Sequence, residues 1–63
     1  MLSKNLQTIR EKRGLSKIQL AKESGISRRN IMLIETERRK NPSIETVKAL
    51  SKALNVSIEE LIK

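Results

Sequence analysis

Two guanidinium groups stand side by side at Arg28 and Arg29, directly after Ser27. Each is a planar fork of N–H donors that stays charged at any ordinary pH. Such a fork pairs bidentately with a phosphate, or with the O6 and N7 acceptors on the edge of a guanine. Asn30 follows, and Arg38, Arg39 and Lys40 add three cations a little further on. Other chemistries lack their residues. With no cysteine there is no disulfide and no thiolate metal site. With no histidine there is no zinc-binding imidazole, no His general base and no Ser/His or Cys/His nucleophile. Glutamates alone, without a glycine-rich phosphate loop, make neither an enzyme nor a cofactor site an expectation. Trp, Tyr and Phe are absent too. Bases of single-stranded nucleic acid usually stack on such rings, so a single-stranded partner is disfavoured.

The chain has 63 residues and a net charge of +7. That length suits one small domain, which buries only a modest share of its surface. Residues 1–40 hold 11 of the basic residues and 4 glutamates, whereas residues 41–63 hold 3 lysines and 3 glutamates. The whole excess therefore lies in the part that contains the arginine pair. A polyanion partner explains this; so does a solvated, soluble surface. No apolar run approaches the roughly 18 residues that a membrane helix needs, and the N-terminus lacks the apolar core of a secretory signal. A cytoplasmic protein is the default expectation.

Helical periodicity supplies the elements that hold these side chains. Leu2, Leu6 and Ile9 predict a first helix over about residues 3–13, ended by Gly14 in a left-handed conformation. Ser16 with Gln19 reads as a capping box for a second helix, about 17–24. Its Leu20 and Ala21 point inward, Ile18 lies off the stripe, and the small Ala21 lets the next helix cross close by. Gly25 supplies a turn. Ser27 caps a third helix, about 28–36, with Ile31 and Ile34 toward the core and Arg29, Met32, Leu33 and Thr36 on the other side. Residues 37–42 form a basic loop that Pro42 closes. A fourth helix, 44–54, carries its stripe on Ile44, Val47, Leu50 and Leu54, and Asn55 suits a left-handed cap. Ser57 with Glu60 boxes a fifth, 58–62, whose apolar face includes Ile58, Leu61 and Ile62. Five short helices with tight connections predict a compact all-α bundle in one domain. Within it, residues 17–36 read as helix, turn, helix, the arrangement that holds a second helix out to the major groove of DNA.

The pattern over Leu6–Ile62 resembles the phage repressor and Cro family, the xenobiotic-response-element type of helix-turn-helix domain. The matching pieces are IREKRGLSKIQLA at 9–21, SGIS at 24–27, IE at 34–35 and NPSIETVKALSKALNVSIEEL at 41–61. The resemblance implies a lambda-repressor-like five-helix fold and a transcriptional regulator that binds a palindromic double-stranded operator as a homodimer. It also implies an ion pair between Arg10 and Glu35. That pair reads either as a support that fixes the first helix against the third beside the DNA backbone, or as a purely structural bridge. Three positions depart from the family. Lys17 replaces a common Gln, Glu37 replaces a usual Gly, and Leu33 fills a slot that is often polar. A left-handed Glu37 would cost roughly 1 kcal/mol, so a remodelled helix end is expected there.

On this reading the N-terminal half of the third helix enters the major groove. Arg28 and Arg29 are the base readers, with phosphate contact as the alternative for each. Two arginines in a first turn oppose the helix dipole, and a local rule broken without structural gain points to function. Asn30 could read adenine, cap, or touch phosphate. Leu33 could meet a thymine methyl, and Met32 is ambiguous. Lys17, Ser27, Arg38, Arg39 and Lys40 form the phosphate set. A two-fold dimer would hold two such helices about 34 Å apart, through Ile58, Leu61 or Ile62. An antitoxin or anti-repressor that grips a protein partner with Ile18, Met32 and Leu33 is the competing reading. A sensor pocket does not fit in this length, so no small-molecule ligand is expected in the domain.

Overall fold

The computed structural model describes residues 1–63 and contains five helices: α1 (Leu2–Lys12), α2 (Lys17–Ser24), α3 (Arg28–Glu35), α4 (Ile44–Leu54) and α5 (Ile58–Ile62). Four of the five start on a serine whose hydroxyl accepts an amide N–H three residues on: Ser16, Ser27, Ser43 and Ser57. Caps of this kind each contribute typically about 1 kcal/mol, which matters in helices too short to stand alone. At Ser16 and Ser57 the capping box is complete, with Gln19 and Glu60 bonding back to the cap amide. Gly14 and Gly25 end α1 and α2 with φ of +69° and +77°.

One core joins all five helices. Leu6 comes from α1, Leu20 from α2, Ile31 and Ile34 from α3, Val47, Leu50 and Leu54 from α4, and Leu61 from α5. Each such side chain, fully buried, contributes roughly 1.5–3 kcal/mol. Helix α3 packs on α1 and α2; α4 packs on α2 and α5; α5 closes back on α1. The last contact is polar as well: Asn5 donates to the carbonyls of Leu61 (2.9 Å) and Lys63 (3.2 Å), and the Met1 ammonium also donates to Lys63. No helix is long and apolar enough to cross a membrane.

Three expectations are corrected. Leu61 does not belong to the surface: its exposure is 0%. Ile58 and Leu61, three residues apart, share the inward face of α5, and Ile62, one residue later, turns about 100° outward. Ile44 is not part of the core either. As the first residue of α4 it lies at the rim, 62% exposed. Glu37 does take the left-handed conformation, φ +64°. The helix end is not remodelled to avoid it. The Glu37 amide bonds the Ile34 carbonyl, and Arg39 N–H reaches back to Leu33 O at 3.0 Å. Those bonds offset the backbone strain and fold the basic loop back along α3.

Candidate nucleic-acid interface

The turn between α2 and α3 is built by three local bonds. The Gly25 amide donates to Ala21 O (2.9 Å), the Ile26 amide to Ser24 Oγ (3.1 Å), and the Asn30 amide to Ser27 Oγ (3.1 Å). Leu20 below and Ile31 above are both fully buried, so the angle of α3 is set by packing rather than by the turn alone. Ala21 packs against the core at the crossing.

The exposed side of α3 then gathers the charged side chains. Arg28 and Arg29 are exposed in its first turn, where no acidic residue offsets them. Ser27, Arg29, Asn30, Leu33 and Arg39 line one shallow open pocket. Arg39, placed in the loop by sequence, is drawn over α3: its Nη1 donates to Asn30 Oδ1 at 2.7 Å. Arg38 and Lys40 stay exposed on the loop. Lys17, half-buried, opens α2; the amides of Lys17 and Ile18 precede the first helical bond, Leu20 N to Ser16 O. Met32 and Leu33 are half-buried, and Thr36 lies just beyond the end of α3 with its hydroxyl on Met32 O at 2.9 Å.

Behind this surface sits Arg10. Its Nε donates to Glu35 Oε2 at 2.8 Å, its Nη2 to Glu35 Oε1 at 3.2 Å, and its Nη1 to Leu15 O at 2.8 Å. The two side chains are only 9% and 4% exposed. The hydrogen bond that Arg10 donates to Glu35 raises the Arg10 pKa above its ordinary value; burial works against it, and the Glu35 and Glu11 charges add to the rise. The fork thus ties α1 and the α1–α2 loop to the end of α3. Ion pairs within 4.0 Å occur only around Arg10, with Glu35 and Glu11. Every cation on the α3 face is therefore without a carboxylate.

Of the surface proposed for a second copy, Ile58 is half-buried against the core and Ile62 is 53% exposed. Both line a shallow groove with Leu2, Pro42, Ile44 and Val47, whose rim Lys40 and Asn41 complete. Sequence reasoning missed Pro42 and Ile44 here. The signal was an isoleucine directly after a cap, at the very end of its stripe.

A short helix held out on a caps-and-core bundle, with unpaired guanidinium groups along it, defines a DNA-binding helix-turn-helix domain. The chain belongs to the family described as Helix-turn-helix, whose model matches residues 6–61. This is the xenobiotic-response-element type that includes Cro and the phage repressors, DNA-binding regulators of transcription. No curated protein matched the chain.

Proposed function

We propose that the protein binds a palindromic double-stranded operator as a homodimer and represses transcription by occluding it. One observation carries the reading: the cations of α3 and its loop are exposed and have no carboxylate partners, with Arg29 and Arg39 brought together on α3. Burying them against a polyanion satisfies charges that the protein leaves open. Arg28 and Arg29 read bases from the first turn of α3, and Leu33 contacts a thymine methyl. Lys17, Ser27, Arg38, Arg39 and Lys40 hold phosphates, with the free amides at the start of α2. The molecule measures 22 × 22 × 19 Å, short of the roughly 34 Å between successive major-groove turns on one DNA face. One copy therefore reads one half-site, and a second copy seated on the groove at Ile58, Ile62 and Ile44 reads the other.

Titrating duplex affinity against salt tests this. Log affinity should fall linearly with log salt, by about 0.9 for each phosphate neutralised. Lys40→Ala should lower that slope by about one while weakening all sequences alike. Arg29→Ala should relax preference at one base pair, costing about 1–3 kcal/mol there; equal loss across all duplexes would make Arg29 a phosphate contact. The alternative, an antitoxin or anti-repressor, draws on Ile18, which is 55% exposed in the first turn of α2. Negligible duplex binding at low salt would favour it.

A further inference from the structure

The Asn30 side chain makes one hydrogen bond, and it comes from Arg39: Nη1 donates to Oδ1 at 2.7 Å. A guanidinium has donors and no acceptor, so the bond forms only with the amide oxygen turned toward Arg39. Nothing else in the protein sets that orientation. Nδ2 bonds to no protein atom, and an asparagine χ2 left to itself is broad and roughly two-fold. Turning the amide over would set Nδ2–H against the guanidinium, donor facing donor. The two backbones that carry the pair are anchored. The Asn30 amide donates to Ser27 Oγ at 3.1 Å, and the Arg39 amide to Leu33 O at 3.0 Å. Asn30 is half-buried, and Ser27, Arg29, Leu33 and Arg39 share its pocket.

The bond does not use up the amide. Oδ1 keeps a second lone pair and Nδ2 keeps two N–H groups. Asn30 can therefore still accept and donate toward a base edge, and the bond by itself names no base. What it fixes is which atom stands where. Base pairs differ in the order of donors and acceptors that they show in the major groove. An amide that turns over freely fits either order; a held amide fits one, and meeting the other breaks the Arg39 bond. The remaining N–H groups of Arg39 stay open to a phosphate, so one guanidinium can join the DNA backbone to a base-reading side chain.

We propose that Arg39 is a positioning residue for Asn30: it holds the amide in one orientation and thereby sharpens the choice of base that Asn30 makes. The role rests on the DNA-binding reading and is additional to the phosphate contact of Arg39.

The test is selection of bound duplexes from a random pool by the wild-type chain, Asn30→Ala, Arg39→Ala and the double variant, each checked for helical content by circular dichroism. Both side chains lie outside the core, so all four chains should fold. Asn30→Ala should erase the preference at one position of each half-site, whichever base the wild type favours there. Arg39→Ala should flatten the preference at that same position by about five-fold, the net worth of one hydrogen bond, and leave the preferences elsewhere unchanged. Added to Asn30→Ala, it should weaken all duplexes alike and flatten nothing further. An Arg39→Ala variant that binds every duplex more weakly but keeps the full preference at the Asn30 position would overturn the proposal and leave Arg39 a phosphate contact only. Flattening of equal size at every position, or flattening that Arg39→Ala still adds in the double variant, would overturn it too, since general loss of support for α3 does that. Enrichment with no position dependent on Asn30 would overturn it while leaving the DNA-binding reading intact; no enrichment by the wild type would remove both.

Discussion

Arg10 acts inside the protein, where it ties α1 and the α1–α2 loop to the end of α3. Its fork is occupied by Glu35 and Leu15 O inside the protein, so it contributes rigidity rather than contact. A buried pair broken on one side leaves an uncompensated charge, which typically costs about 3–5 kcal/mol. Arg10→Met should show a loss of that size in urea unfolding, and adding Glu35→Leu should recover most of it. A single-variant loss below about 1 kcal/mol would show that the pair is not held as tightly as its burial implies. The pH dependence follows from the raised Arg10 pKa. A folded-state pKa above the unfolded one means that the stabilisation is complete below the unfolded value and fades only as pH climbs through the folded one. Both lie far above neutrality. The stability difference between wild type and Arg10→Met should therefore be the same at pH 7 and pH 10, and a difference that shrinks by pH 10 would contradict it.

At the scale of elements, the join between α3 and its loop is the least relaxed part of the backbone. A non-glycine residue in the left-handed region costs roughly 1–2 kcal/mol, and Glu37 sits there at φ +64°. Glycine would relieve that strain but lose about 0.5–1 kcal/mol to its freer unfolded state. Glu37→Gly should therefore raise stability by at most about 1.5 kcal/mol in thermal unfolding; a clear loss would mean that the Glu37 side chain supports the turn. Asn55, at φ +57° after α4, occupies the same region more comfortably, since Asn is one of the few side chains that visit it. The caps were legible because serine three residues before Gln or Glu is a local code. Glu37 was not: its conformation depends on bonds to Ile34 and Leu33 and on the path that the loop takes across α3.

For the whole molecule, two adjacent residues of α5 face opposite ways. Leu61 closes the core and Ile62 faces solvent. Leu61→Ala should destabilise the monomer by about 2–5 kcal/mol. Ile62→Glu should change its stability by no more than about 0.5 kcal/mol, yet prevent two copies from occupying one palindromic duplex. Sedimentation of the complex checks this: a one-to-one stoichiometry is expected for Ile62→Glu and two-to-one for the wild type. Unchanged stoichiometry would place the second copy on another surface.

Amino-acid order alone set the helices, their caps, the absence of thiol, imidazole and aromatic chemistry, and the basic character of the half that holds α3. These are local or compositional properties, carried by spacing and side-chain type. Packing decided the rest. Whether Leu61 or Ile62 faces out, whether Ile44 is core or rim, and whether Arg39 lies free in a loop or against Asn30 all depend on where a distant segment passes. A 3.6-residue period marks which side of a helix is apolar, but an apolar side becomes interior only where another element covers it.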